Sequence, residues 1–287
     1  MTRPLTTLVL AGLLIAAAAP AQQPKPPRVT SPRLYVISCG TLAIEDWERF
    51  RLKKEEMKAT DMSAPCFLVV HPKGTLMWDA GPVPDSAFQA GAPAAMERYA
   101  RSSKPLAASL AEIGYKSSDI TYLALSHFHW DHVANADAFA GSTWLVRKIE
   151  RDAMFPNDPN AKPSERTAPQ FYQKLRTSKT TYISTDDYDV FGDGTVVIKF
   201  TPGHTPGHSS LFVNLKSTGP VLVSGDLYHY PEERSLHRIP NFEVDEALTA
   251  KSRAAIEDFL TKTKAQLWIQ HDLTGYGKLK KAPAYYE

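Results

Sequence analysis

The sequence predicts an α/β sandwich, two sheets packed face to face with helices on their outer sides. Short apolar runs of strand length recur in both halves of the chain, at residues 34–38, 67–70, 75–78, 122–125, 143–146, 195–200, 210–214, 221–224 and 266–270, with helical patterns between them. Side chains able to bind a metal collect directly after several of these runs, where strand ends hand over to loops.

The elements follow in order. Arg3, an apolar stretch at 8–19 and the small residues Ala19-Pro20-Ala21 read as a secretory signal peptide over 1–21. That stretch is too short and Ala-rich for stable membrane insertion, and an uncleaved anchor helix is the alternative. The expected address is therefore secreted or periplasmic. Residues 22–32 form a Pro-rich leader, and 33–287 have the length of one large folded domain. Residues 45–57, charged but carrying Trp47 and Phe50, are expected as a helix or ordered flap on the surface. His71-Pro72-Lys73-Gly74 makes the turn of a hairpin between 67–70 and 75–78. Helices are expected at 94–101 and at 105–113, the latter stopped by Gly114. Asp131 is placed to cap a further helix running to Ala140, ahead of Gly141. An excursion rich in Pro, Asn and Lys at 155–164 and a helix near 170–175 lead into the second half. The last helix, 245–260, sets Leu248, Ile256 and Phe259 broadly on one side. Two cysteines, Cys39 and Cys66, lie in strand-like surroundings, where either a disulfide or buried free thiols would fit.

A net charge of +2 and the lack of any Lys/Arg block argue against nucleic acid as a partner. The chemistry concentrates elsewhere. Three of the nine histidines fall within Ser126–His132, SHFHWDH. Leaving a strand, alternate residues face one side, so His127 and His129 can share one point. Asp131 and His132, where the backbone turns into a helix, can share a second point close by. TPGHTPGH at 201–208 follows a strand, with Gly203 and Gly207 permitting tight turns that push His204 into a cleft. SGD ends the next strand at Asp226, whose carboxylate can bridge two metals, and QHD ends the last at His271. Imidazole and carboxylate ligands of this kind suit borderline-soft divalent cations.

These four motifs, in this order, resemble those of the metallo-β-lactamase superfamily of hydrolases, and the resemblance covers nearly all of the chain after the leader. It implies a four-layer αββα sandwich. It also implies two divalent metal ions, zinc first, with iron, cobalt or manganese also suited to the ligands. His127, His129 and His204 would hold one ion. Asp131, His132 and His271 would hold the other, with Asp226 between them. Asp79, in WDAG, matches an acid that orients the cluster. The implied reaction is hydrolysis by hydroxide generated on the metals, with Asp131 also moving a proton to the leaving group.

An aspartate at 226 points away from β-lactamases proper. LYVISCGTL and APCFLVVHPKGTLMWDAG look most like the start of N-acyl-homoserine lactonases. The expected substrate is a small lactone or ester, with the flap over its acyl chain. Such lactonases typically carry a tyrosine three residues after the bridging aspartate. This chain has His229 there, between Tyr228 and Tyr230, so either a tyrosine reaches the site or His229 replaces it. His208 is expected as a supporting residue, and His71 and His237 as surface or loop residues. β-Lactam, thioester or phosphotriester hydrolysis on the same site is the alternative, and a non-hydrolytic metal or redox protein is the competing class. Both a monomer and a homodimer are compatible with the sequence.

Overall fold

The computed structural model describes residues 28–88, 94–96, 99–157 and 166–287. The signal-peptide segment and most of the expected excursion at 155–164 lie outside the described residues.

Two sheets form the sandwich. The first has six strands in the order Arg33–Ile37, Cys66–His71, Gly74–Trp78, Tyr122–Ala124, Thr143–Val146 and Thr180–Tyr182. The second has five, Asp187–Asp189, Val196–Phe200, Ser209–Leu215, Gly219–Val223 and Gln266–Trp268. Alternation along the strands divides their side chains between two apolar layers. Leu34, Val36, Phe67, Val69, Leu76 and Trp78 meet Val196, Ile198, Leu211, Val213, Val221 and Val223 between the sheets. Their neighbours Tyr35, Ile37, Leu68, Val70 and Met77 face outward, under Leu106 and Leu110 of the helix Leu106–Glu112. On the far side, Leu222 packs with Ile256 and Leu260 of the helix Glu246–Thr263. The result is the expected four layers. Each of these fully buried side chains contributes roughly 1.5–3 kcal/mol against leaving it in water.

The strands at 34–38, 67–70, 75–78 and 143–146 stand where the sequence puts them, to within a residue or two. Gly114, at φ 83°, stops the helix Leu106–Glu112. Asp245 caps Glu246–Thr263 by accepting from the Leu248 amide at 2.9 Å. Three expectations need correction. Residues 94–101 are not a helix: Ala94–Met96 and Ala100–Ser102 are strands of a small third sheet with Thr41–Leu42 and Met62–Ser63. The helix expected from Asp131 to Ala140 is a short helix, Trp130–Val133, followed by a separate 3-10 turn, Ala136–Phe139. Its N-cap is His129, and Asp131 lies inside it. On the last helix Ile256 is buried but Leu248 is 38 % exposed, because Leu260 rather than Leu248 completes the apolar stripe. The segment at 45–57 is an ordered loop with two 3-10 turns, Glu48–Phe50 and Lys54–Glu56. Cys39 and Cys66 form a disulfide.

Sheet direction gathers the motifs. Gly74–Trp78 and Tyr122–Ala124 run parallel, so Asp79 and the loop from Ser126 leave the first sheet at the same edge. Gly219–Val223 and Gln266–Trp268 are also parallel. Val196–Phe200 runs in their direction, being antiparallel to the strand between. Asp226, His271 and the 201–208 loop therefore share one edge of the second sheet. Among the described residues, no helix is long and apolar enough to cross a membrane.

Candidate metal centre

Where the two edges meet, seven side chains form two groups with one member in common. His127, His129, His204 and Asp226 make the first group, and Asp131, His132, Asp226 and His271 the second. These are the two sets the resemblance implies, now joined by geometry. In the first, His129 Nδ1 lies 2.8 Å from His127 Nε2 and 2.9 Å from His204 Nε2. Asp226 Oδ2 stands 3.3 Å from His204 Nε2 and 3.6 Å from His127 Nε2. In the second, His132 Nε2 and His271 Nε2 are 3.3 Å apart, with Asp226 Oδ1 at 3.1 and 3.0 Å from them. Asp131 Oδ2 approaches the same nitrogens at 3.5 and 3.4 Å.

The outer nitrogens of four of these five rings are already engaged. His271 Nδ1 donates to the Ser63 carbonyl at 2.7 Å, which leaves the lone pair of the neutral ring on Nε2, pointing inward. His132 Nδ1 is held by Asp79 Oδ2 at 2.8 Å and His204 Nδ1 by Glu243 Oε1 at 2.9 Å. His127 Nδ1 meets Ser126 Oγ at 3.0 Å. Buried lone pairs facing one another at such distances make poor hydrogen bonds and good ligands. A tetrahedral ion with metal–nitrogen distances of about 2.0–2.1 Å sets its ligand atoms about 3.3 Å apart. Asp226 Oδ1 is buried with no hydrogen-bond partner, although two imidazoles flank it. A bridging cation would satisfy it, so the donor set fits two divalent ions.

The protein supports this set from behind. Asp79, at φ 60°, accepts from the Ser126 amide at 2.6 Å, from Ser126 Oγ at 2.9 Å and from Gln270 Nε2 at 2.7 Å, besides holding His132. These contacts place Asp79 directly behind His132, where the sequence leads one to expect an orienting acid. His208 is a supporting residue as well. Its Nδ1 lies 2.8 Å from the Thr201 carbonyl, and its Nε2 accepts from the Asp226 amide at 2.9 Å, fixing the loop that carries the shared carboxylate. Gly203 and Gly207 are required by close approach. A Cβ at Gly203 would sit 2.3 Å from the Thr249 amide nitrogen, and one at Gly207 2.4 Å from Glu150 Cβ.

Two buried glutamates escaped the sequence reading. Glu150 accepts from the Phe128 and Gly207 amides at 3.0 and 2.7 Å and from Thr205 Oγ1 at 2.8 Å, clamping both histidine loops together. Burial pushes its carboxyl up to about 7. The side chain of Glu243 is also buried, but the neighbouring His204 overcomes burial and holds its carboxyl at about 2. Burial opposes charge on His132 too, yet Asp226, Asp131 and Asp79 together raise it well above the usual histidine range. His127 and His129 are pushed down, by burial first and by neighbouring histidines next.

Tyr228, expected at the site, is not there. Its hydroxyl donates to Glu257 Oε1 at 3.1 Å and its ring lies under the Arg253 guanidinium, on the side of the helix Glu246–Thr263. Tyr230 points elsewhere as well, donating to the Thr60 carbonyl at 2.6 Å. His229 fills the place between them. Its Nε2 is 3.3 Å from Asp226 Oδ2 and its Nδ1 3.2 Å from Glu233 Oε1. Burial works against a charge there, but Glu233 and Asp226 raise the ring to about 9. In the flap, the ring of Phe50 meets His229 edge-on at 5.2 Å, while Trp47 lies under Lys54. His237 is exposed, as expected, but His71 is buried and stacks on Phe191 at 4.1 Å.

Comparison with known proteins agrees with this geometry. The N-acyl homoserine lactonase AttM of Azorhizobium caulinodans is 27% identical over 264 residues, spanning 90% of this chain and 100% of that protein. The N-acyl homoserine lactonase AiiA of Bacillus thuringiensis subsp. kurstaki is 28% identical over 176 residues, 61% of this chain and 65% of the other. The crystal structure of a quorum-quenching N-acyl homoserine lactone lactonase superposes with a TM-score of 0.72 at 25% identity, covering 90% of this chain and 99% of that one. The pattern of the Metallo-beta-lactamase superfamily matches residues 59–264. That stretch contains most of both sheets and every ligand candidate except His271, and the chain belongs to the metallo-beta-lactamase superfamily.

Proposed function

We propose that this protein hydrolyses the lactone ring of N-acyl-homoserine lactones, with two divalent metal ions, zinc first, held by the seven side chains of the centre. The observation that carries the reading is the shared carboxylate: Asp226 belongs to both ligand groups at once. The naming of the relatives as N-acyl homoserine lactonases supports the substrate class. Ions bound there would lower the pKa of water and polarise the lactone carbonyl. The protein's own side chains supply the rest. Asp131 is 9 % exposed, while His127, His129, His132, His204, Asp226 and His271 are each 5 % exposed or less, so it is the ligand best placed to pass a proton to the departing alkoxide. His229, with a proton on Nδ1 fixed by Glu233, can carry a second on Nε2 toward the substrate oxygen. It takes the role expected of a tyrosine. Asp79 and Glu243 hold His132 and His204 in the ligating orientation.

The leader at 1–21 supports export, and the Cys39–Cys66 disulfide suits an oxidising compartment such as the periplasm. Proton release from N-hexanoyl-homoserine lactone tests the function directly. Acid production by the metal-loaded protein that stops on chelation and returns with zinc is expected. An intact metal complement without acid production would overturn the substrate assignment and move it to thioesters, phosphotriesters or β-lactams.

A further inference from the structure

Each histidine of the first ligand group stands next to a residue bonded to one buried carboxylate, that of Glu150. Phe128, between His127 and His129, donates its amide to Glu150 Oε1 at 3.0 Å. Thr205, which follows His204, sets its Oγ1 2.8 and 2.9 Å from the two carboxylate oxygens. The Gly207 amide donates to Oε2 at 2.7 Å. Glu150 comes from a third element, the helix Lys148–Met154, and is 3 % exposed, with Thr205 fully buried. A Cβ at Gly207 would also lie 2.9 Å from Glu150 Oε2, so the glycine in the loop and the glutamate on the helix require each other.

The histidines of this group differ in what else holds them. His127 and His204 have outer-nitrogen partners in Ser126 and Glu243. His129 meets His127 and His204 through its inward Nδ1, so its direction is set by the backbone on either side. There the Phe128 amide is tied to Glu150 and the Trp130 amide to the Arg166 carbonyl. The second group is anchored elsewhere, His132 by Asp79 and His271 by the Ser63 carbonyl. Asp226, the shared member, bonds through its amide to His208, whose ring is held in turn by the Thr201 carbonyl. The groups bonded to Glu150 are all donors, two amides and a hydroxyl. A glutamine of the same shape would turn one oxygen into a donor facing an amide N–H, Phe128 on one side or Gly207 on the other, and one histidine loop would lose its bond.

We propose that Glu150 is a positioning residue for one metal ion of the two. By tying the loop of His127 and His129 to the loop of His204, it sets the affinity of the three-histidine group and leaves that of the Asp131, His132 and His271 group alone. This rests on the two-ion reading of the centre and is independent of the substrate. Zinc affinity, measured by competition with a chromogenic chelator, tests it on two backgrounds: His271→Ala, which keeps the first group whole, and His204→Ala, which keeps the second. Adding Glu150→Gln is expected to weaken zinc binding about 10- to 100-fold in the His271→Ala protein and to leave it unchanged in the His204→Ala protein. Thr205→Val, which keeps the carboxylate and both amide bonds, should give a smaller loss with the same selectivity. Equal weakening on the two backgrounds would show a general loosening of the fold, and no weakening on either would make Glu150 mere packing; each result overturns the proposal. No zinc taken up by the His271→Ala protein would mean that three histidines and Asp226 hold no ion by themselves, which overturns it as well. If Glu150→Gln gives no cooperative melting transition, Thr205→Val carries the test on the same backgrounds with the same outcomes. The expected selectivity in a protein that opens no lactone would support the proposal while the substrate assignment fails.

Discussion

At the scale of single residues, the centre depends on atoms that serve two partners. Asp226 is the extreme case, with one oxygen facing each ligand group and burial around both. Asp226→Ala is expected to bring the metal content from two ions per chain to one or none and to lower turnover at least about 10³-fold. Elemental analysis beside proton release checks both, and a variant with full metal and full rate would remove the bridging assignment. Glu243 acts one step out, through His204 Nδ1. Glu243→Gln should weaken metal binding about 10- to 100-fold, measured by competition with a chelator, while leaving the fold in place. The seven ligand candidates were legible in the sequence because they cluster in four short motifs directly after strands. Glu243 and Glu150 were not, because each reaches its partner from a distant stretch of chain and neither sits in a motif. Tyr228 was misplaced for a local reason. Tyr228 and Tyr230 both have extended backbone, at φ −138° and −122°, and neighbouring side chains on such a stretch point to opposite sides. His229 faces the candidate centre, so Tyr228 and Tyr230 on either side of it are turned away.

At the scale of elements, strands were easier to read than the connections that bring residues to the site. Apolar runs such as CFLVVH and GTLMW are buried along nearly their whole length, so hydrophobicity alone locates them. The AAMERYAR stretch reads as a helix by composition, yet sheet pairing with Thr41–Leu42 draws Ala100 and Arg101 into a strand. Pairing of this kind is a long-range event that local propensity does not register. The flap was legible as surface structure, but what holds it was not. Arg51 is bidentate to Glu246 at 2.9 and 2.7 Å, Arg238 grips Glu56, and the Asn241 amide donates to the Arg49 carbonyl at 2.9 Å. Its bond with Arg238 comes first among the causes that hold the Glu56 carboxyl at about 2, against an ordinary value of 4.5. A depressed carboxyl stabilises the folded arrangement fully above the ordinary value and loses that contribution as the pH falls through the depressed one. The flap should therefore loosen between about pH 4.5 and 2, seen as faster cleavage within residues 45–58 by an acid-active protease. Arg238→Gln should give the same faster cleavage already at pH 5. Cleavage insensitive to both would mean that the apolar contacts of Phe50 and Leu52 hold the flap without the ion pair.

At the scale of the whole molecule, one covalent bond ties the fold to the compartment proposed for it. Cys39 follows the first strand of the six-stranded sheet and Cys66 opens the next, so the disulfide joins neighbouring strands across 27 residues of sequence. The loop it closes contains the flap and the small-sheet strand whose Ser63 carbonyl orients His271. The bridge also packs on Gly81, where a Cβ would meet Cys39 Cβ at 2.7 Å, two residues beyond Asp79. Closing a loop of that length restricts the unfolded chain by about 3.5 kcal/mol on the chain-entropy account. For a chain of this size that corresponds to roughly 7–14 °C in melting temperature. Protein prepared with Cys39→Ala and Cys66→Ala together, or treated with a thiol reductant, should melt lower by about that much. It should also bind the second-group ion less tightly, since Ser63 lies inside the released loop and Asp79 lies beside its end. The sequence left both a disulfide and buried free thiols open here, because spacing does not state whether two Cβ atoms face each other. Melting curves of protein from the periplasm and from a reducing cytoplasm separate the two consequences. A difference abolished by the double alanine variant would assign the stability to the bridge and support export as the state in which the centre is built to work. Identical curves with both thiols shown to be oxidised in each sample would mean that the bond forms regardless of compartment, and export would then have to be established from the mass of the mature N-terminus alone.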